Sequence, residues 1–104
     1  MIIQLNTDKN ISGDMRSEQY FSTLIESDLE QYQSQITRIE VHLSDENGAK
    51  SSLKDKRCLL EARLEGRQPI AVSHQDDTVE LALSGALDKL KHSLETILGR
   101  EKNY

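Results

Sequence analysis

In the stretch ITRIEVHLS, residues 36–44, apolar and polar side chains alternate from residue 38 onward. Successive side chains of a β-strand point to opposite faces of its sheet, so the alternation divides these residues into two sets. The apolar set is Ile39, Val41 and Leu43, and the polar set is Arg38, Glu40 and His42. The pattern predicts a half-buried strand of an antiparallel-type sheet, with one face in the core and the other in water.

A second strand is predicted over RCLLEARLEG, residues 57–66, where the alternation continues. Its core side is Cys58, Leu60, Ala62 and Leu64, and its outward side is Leu59, Glu61, Arg63 and Glu65. The polar segment DENGAKSS lies between the two strands, and its Asn-Gly signal predicts a hairpin loop over about 45–55. Shorter runs at IIQLN (2–6) and IAVSH (70–74) predict two more strands, the latter after a turn at 66–69.

Two segments have the three- and four-residue spacing of amphipathic helices. The first covers about 16–33, with Asp14 or Ser17 as its cap and the apolar stripe Tyr20, Phe21, Leu24, Ile25, Leu29 and Tyr32. The second starts after a cap at Asp76, Asp77 or Thr78 and is expected to end before Gly99. Its apolar positions are Val79, Ala82, Leu83, Ala86, Leu87, Leu90, Leu94, Ile97 and Leu98. Gly85 predicts close packing of this helix on the sheet.

These elements follow one another in the order β-α-β-β-β-α, which predicts an α+β fold with a four-stranded sheet and two helices on one face. A chain of 104 residues fits one domain over 1–104, and we expect its ordered core over about 2–99. The opposite face of the sheet is then left to solvent or to a partner.

The charge of the chain is negative and unevenly placed. The formal net charge is -5, and residues 1–34 hold two basic groups (Lys9 and Arg16) against six acidic ones. A general nucleic-acid binder usually has a dominant basic face, so any contact with a polyanion must be local. No apolar run reaches the ~20 residues that a bilayer span needs, and the N-terminus lacks the pattern of a signal peptide. We therefore expect a cytoplasmic protein that makes no membrane contact.

The sequence carries no motif of an enzyme or of a metal site. The histidines, His42, His74 and His92, fall on two strands and a helix, and Cys58 is the single cysteine. Cys58 occupies a core-facing strand position, where a small buried hydrophobe is the simplest interpretation. We therefore expect no catalytic residue, no metal, no cofactor and no small-molecule substrate.

Cations cluster in two places despite the negative balance. The stretch KDKRCLLEARLEGR, residues 54–67, holds five basic residues, and its strand half is explained by ion pairs of alternating sign across the sheet. That explanation does not account for Lys54, Lys56 and Arg57. On the second helix Lys89 and His92 lie one turn apart, with Lys91 beside them. Two interpretations stay open for these residues: an ordinary solvated surface, which composition alone favours, and a basic edge made from the loop and the helix.

The strand ITRIEVHLSDENG, the block KRCLLEARLEGRQPIAVSHQ and the helix GALDKLKHSLETILG together resemble the ribosome hibernation-promoting factor and ribosome-associated inhibitor A family, especially its short single-domain members. The resemblance covers about residues 2–99, and DKL at 88–90 is its most specific piece. It implies a fold similar to double-stranded-RNA-binding domains. It also implies binding to small-subunit rRNA near the decoding centre, which inhibits translation and protects idle ribosomes without catalysis.

The resemblance carries over to site residues only in part. Lys89 matches a family lysine, whereas His92 and Thr96 stand at the next two basic positions, and the first helix is acidic where the family is basic. The chain ends at Tyr104, so we expect it to lack the C-terminal extension of longer members. The candidate rRNA-binding residues are Lys89, Lys91, His92, Lys54, Lys56 and Arg57, with Arg63 and Arg67 second. The alternative is a fold relative that no longer binds ribosomes and acts as a protein-interaction module or a weak homodimer.

Overall fold

The computed structural model describes residues 1–8, 15–45 and 55–102, with the side chains of 15–17 and 100–102 left out. The elements are β1 (Ile2–Thr7), α1 (Met15–Asp28), a 3₁₀ turn (Glu30–Tyr32), β2 (Ile36–Asp45), β3 (Lys56–Leu64), β4 (Ile70–Asp76) and α2 (Val79–Lys102). Their order is β-α-β-β-β-α, as predicted. Most of the predicted hairpin loop lies outside the described residues, as do Asp14 and Lys54.

The four strands form one mixed sheet in the order β1-β2-β3-β4. β1 runs parallel to β2, because α1 lies between them along the chain and returns it to the same end of the sheet. The β2–β3 and β3–β4 pairs are antiparallel, and Val41 lies opposite both Leu5 of β1 and Leu60 of β3. β1 and β4 are therefore the two edge strands.

The core lies between one face of this sheet and the two helices. The inward residues of β2 and β3 are buried as the alternation predicts, and these are Ile39, Val41, Leu43, Cys58, Leu60, Ala62 and Leu64. The apolar stripes of the helices cover them, and the buried members include Ile25, Leu29, Leu83, Leu87, Leu90 and Leu94. Burial of these aliphatic side chains is the main stabilising contribution, since the chain has few aromatic residues.

α2 approaches the sheet most closely at Gly85. A β-carbon built on Gly85 would lie 2.1 Å from Cδ2 of His74, which is closer than any real contact. His74 stands on the inward side of β4 opposite Cys58, and its Nε2 lies 3.1 Å from Oδ2 of Asp76. The predicted close packing of helix on sheet is confirmed, and the imidazole fills the space that the glycine leaves.

The helix ends differ from the prediction in two places. Thr78 caps α2, because its Oγ1 accepts a hydrogen bond of 3.1 Å from the amide of Leu81. α2 continues through Gly99 to Lys102, so the prediction that Gly99 ends the helix is wrong. A glycine within a helix costs only ~1 kcal/mol, and Gly99 does not have the positive φ that a terminating glycine adopts.

The first helix is shorter than the predicted span of 16–33. α1 ends at Asp28, and the chain tightens into the 3₁₀ turn, where the Tyr32 amide donates to the carbonyl of Leu29 at 2.9 Å. Ser17 lies inside α1 and therefore does not cap it. Neither described helix combines the length and the apolar character that a bilayer crossing requires.

Candidate nucleic-acid interface

The outward face of the sheet carries a network of ion pairs. Nε of Arg63 lies 3.6 Å from Oε2 of Glu40, and Nε2 of His42 lies 3.5 Å from Oε1 of Glu61. Arg38 lies 4.0 Å from the same Glu40 carboxylate and also donates to the side chain of Gln4. Glu40 and Glu61 stand directly opposite each other, and Arg38 and Arg63 offset the repulsion between these like charges. These pairs account for the strand half of the basic stretch.

Lys56, at the start of β3, is held by two carboxylates. Its Nζ lies 2.7 Å from Oδ1 of Asp55 and 3.4 Å from Oδ2 of Asp45. The hydrogen bond to Asp55, supported by both negative charges, raises the pKa of Lys56 above its usual value. The Asp55 side chain is almost fully buried, so Lys56 serves chiefly to neutralise it. Its neighbour Arg57 is half-buried and also has polar or electrostatic interactions of its own.

Lys91 is on the side of α2 that faces the end of α1. Its Nζ lies 3.1 Å from Oδ1 and 3.1 Å from Oδ2 of Asp28, and 3.7 Å from Oδ1 of Asp88. The hydrogen bond to Asp28 is the main reason that the pKa of Lys91 is raised. Lys91 therefore joins the two helices, and its charge is balanced by the carboxylates around it.

Lys89 and His92 lie together on another side of α2, beside the edge strand β4. Nζ of Lys89 donates to the carbonyl oxygen of Ser73 at 2.8 Å, and Lys89 has no ion pair among the described residues. Both side chains are exposed. With Val72, Asp88 and Ser93 they line a shallow groove, here called the β4-edge groove. An ammonium that makes one hydrogen bond keeps two further N–H donors for an anion.

The described candidates therefore differ in the groups that hold them. Lys89 and His92 share the β4-edge groove, Lys91 faces α1, and Lys56 turns toward Asp45 at the end of β2. Sequence reasoning missed the groups that hold them, namely Asp28, Asp45 and the carbonyl of Ser73. No local signal identifies such partners, because Lys91 and Asp28 are 63 positions apart and meet only through packing.

The exposed side of α1 is acidic, as the sequence indicates. Glu18 and Glu26 of α1 and Glu30 of the following turn are exposed. Their carboxylates form no ion pair with any residue in the described ranges. This side of the molecule repels phosphate, so any RNA contact must lie elsewhere on the surface.

The remaining chemically reactive groups do not gather into a site within the described residues. No group of three or more His, Cys, Asp or Glu side chains there has the placement to hold a metal ion. Cys58 is fully buried, and its burial raises the pKa of the thiol to about 12. The thiolate, the reactive form, is therefore strongly disfavoured in the folded protein.

The protein is similar in fold to two proteins of known structure. No protein of curated function matches the chain in sequence. The N-terminal domain of Protein Y from Thermus thermophilus superimposes with a TM-score of 0.72 at 21% identity, covering 93% of this chain and 99% of that one. A ribosomal subunit interface protein from Coxiella burnetii superimposes with a TM-score of 0.71 at 18% identity, covering 95% and 99%. The two TM-scores establish a shared fold.

The family assignment comes from the sequence itself. The pattern of the family described as Sigma 54 modulation protein / S30EA ribosomal protein matches residues 6–102. The match includes both helices, the whole of β2 to β4 and the DKL segment at 88–90, and it confirms the family resemblance noted above. This chain belongs to the Sigma 54 modulation protein / S30EA ribosomal protein family.

Proposed function

We propose that this protein is a non-catalytic ribosome-associated factor that binds the small subunit near the decoding centre. By occupying the positions of mRNA and tRNA, it inhibits translation and protects idle ribosomes. The observation that carries the proposal is the match to the S30EA ribosomal protein family over residues 6–102. The similarity in fold to a ribosomal subunit interface protein supports the same function.

Within this proposal, Lys89 and His92 make the main rRNA contact. Lys89 is exposed, unpaired with any described carboxylate and anchored at 2.8 Å to the edge of β4. Anchoring limits the conformational freedom that the side chain loses on binding, and the ammonium keeps two further N–H donors. Lys91 and Lys56 contribute less, because their charges already have partners, and Arg57 contributes less because it is half-buried and has interactions within the fold. Lys54 remains a candidate on sequence grounds.

Co-sedimentation with purified small subunits tests the proposal directly. We expect the protein to pellet with the subunits at about 50 mM salt and to dissociate partly at about 200 mM, since phosphate contacts release counterions. Large subunits in the same buffers are the control. A protein that stays in the supernatant under every condition does not act on the ribosome, and the proposal then fails.

Two matched substitutions on α2 test the site. Lys89→Gln and Lys91→Gln remove the same charge from positions two residues apart, but only Lys91 is neutralised by Asp28. We expect K89Q to lower the affinity for small subunits, measured by co-sedimentation, by about three- to tenfold. K91Q should lower this affinity by less than about twofold. Equal effects would show that position on the helix does not matter. The opposite order would assign the contact to Lys91.

The alternative function, a protein-interaction or homodimerisation module that has left the ribosome, is favoured by one observation. The exposed side of α1 is acidic, and several cations elsewhere are neutralised within the fold. Sedimentation equilibrium of the free protein separates the two functions. A stable dimer that does not bind small subunits supports the alternative, whereas a monomer that binds them supports the proposed function.

A further inference from the structure

A cleft of about 290 Å³ opens between the 3₁₀ turn and the last turns of α2. It is lined by Gln31, Tyr32, Gln35, Glu95, Leu98 and Gly99. Its size is at the small end of the range for ligand sites. The lining combines an apolar floor, from Tyr32 and Leu98, with side chains that accept hydrogen bonds.

Gln35 supplies an acceptor whose hydrogen-bonding capacity is unused. Its backbone is fixed on both sides, since its amide donates to Tyr32 at 3.0 Å and its carbonyl accepts from Glu65 at 3.1 Å. Its side-chain Oε1 is buried, and no described protein group donates to it. A buried acceptor without a donor destabilises the folded state. Gln35 lines the cleft, and rotation about its soft terminal amide torsion exchanges Oε1 with Nε2.

Glu95 adds a negative charge to the cleft. Its side chain is exposed at the cleft, and it forms no ion pair within the described ranges. In this respect Glu95 differs from Asp28, Asp45 and Asp55, each of which holds a lysine. A carboxylate beside an apolar floor attracts a cation and repels an anion.

Gly99 keeps the cleft open. Its φ is not positive, and a β-carbon built on it would have no atom within 4 Å, so neither conformation nor crowding requires a glycine. Glycine in a helix interior is nevertheless unfavourable relative to alanine. Gly99 lines the cleft, so a larger side chain at this position adds atoms to the lining.

We propose that this cleft binds a primary alkylammonium group, with the nitrogen between Glu95 and Gln35 and the alkyl chain over Leu98 and Tyr32. An ammonium supplies three N–H donors and a positive charge, and its alkyl chain matches the apolar floor. A metal ion does not fit, because the lining offers one carboxylate and no histidine or cysteine. The chemistry occurs in free aliphatic diamines and in lysine side chains.

Titration followed by two-dimensional ¹⁵N NMR of the full chain tests the proposal. The probes are cadaverine, Nα-acetyl-lysine N-methylamide and, as an uncharged control, 1,5-pentanediol. We expect both amines to shift the amides of residues 31–35 and 95–99 in a saturable way and the diol to leave them unchanged. Saturation by cadaverine alone assigns a free diamine, and saturation by the lysine derivative as well extends the site to lysine side chains. Absence of saturable shifts with either amine overturns the proposal.

Three variants separate binding from folding. Glu95→Gln should weaken the binding of cadaverine about three- to tenfold, whereas Glu26→Gln, the same change on exposed α1, should leave it unchanged. Gly99→Leu should fold normally and abolish binding, because the new side chain fills the cleft. Gln35→Met should weaken binding while raising the melting temperature, since it removes the unsatisfied oxygen. Binding unchanged in both E95Q and G99L would place the amine elsewhere and overturn the proposal.

Discussion

Gly85 and His74 form the tightest contact between a helix and the sheet. A β-carbon at residue 85 would lie 2.1 Å from the imidazole, which cannot move away easily because its Nε2 is held 3.1 Å from Asp76. We expect Gly85→Ala to lower the free energy of unfolding by about 1–3 kcal/mol, although alanine is the better helix former. Urea denaturation measures the change.

Gly99→Ala is the matched control for that substitution. It makes the same chemical change in the same helix, but the new β-carbon meets no atom within 4 Å. We expect it to leave stability unchanged or to raise it by up to about 1 kcal/mol. The double variant His74→Ala, Gly85→Ala should recover part of the loss caused by G85A alone. If G85A and G99A behave alike, the contact with His74 does not limit the packing.

Ionisation of Cys58 makes the free energy of unfolding depend on pH in the alkaline range. Its pKa is raised from 9.0 to about 12 by burial, so between these values the unfolded chain releases a proton that the folded chain keeps. The free energy of unfolding therefore falls as pH rises through this range, by about 1 kcal/mol between pH 9 and pH 10. Denaturation at pH 8, 9 and 10 measures this decrease. Cys58→Ala should show a smaller decrease than the wild-type protein, and an identical decrease in the two would show that the thiol is not its source.

At the scale of secondary-structure elements, an ion pair between Lys91 and Asp28 joins α2 to the end of α1. Both side chains are about one-third exposed, at 29% and 34%, so screening by water limits their interaction. We expect a double-mutant cycle of Lys91→Met and Asp28→Asn to give a coupling energy of about 0.5–1 kcal/mol. The control cycle, Lys89→Met with Asp28→Asn, should give none. Coupling of equal size in both cycles would indicate a general charge effect.

The side-chain hydroxyl of Thr78 caps the N-terminus of α2. Thr78 Oγ1 accepts from the Leu81 amide at 3.1 Å and satisfies one of the backbone donors that every helix leaves free at its N-terminus. We expect Thr78→Ala to lower the free energy of unfolding by about 1 kcal/mol. Ser84→Ala, at an exposed position within α2, also removes a hydroxyl and should cost nothing. If T78A is equally harmless, the cap does not contribute.

The whole molecule carries a net charge of -5, and this limits how it can meet RNA. In the proposed complex Lys89 and His92 are the main contacts and the acidic side of α1 is turned away, so few phosphates would be neutralised. We expect the logarithm of the binding constant for small subunits to fall with the logarithm of salt concentration with a slope of about -1 to -3. Lys89→Gln should reduce the steepness by about one. A slope near zero would show that phosphate contacts do not hold the complex.

The order of the elements and the inward faces of the strands could be predicted because they depend on local geometry. Side chains alternate along any extended chain and recur every three or four residues along any helix, so Val41, Leu60 and Leu87 identify the core by position alone. The prediction that α2 ends before Gly99 was wrong because the end of a helix does not depend on local geometry alone. A glycine ends a helix only where the chain turns away, and that direction depends on packing.

The α+β fold, the family and the candidate cations could all be inferred from the order of residues along the chain. Tertiary packing was needed to show which of those cations already have partners, since Lys91 meets Asp28 across 63 positions and Lys89 reaches the edge of β4. It also assembled the cleft from Gln35 and Glu95, which lie on different elements. The physical reason is that electrostatic pairing depends on distance in space, whereas periodicity is a property of the backbone at each residue.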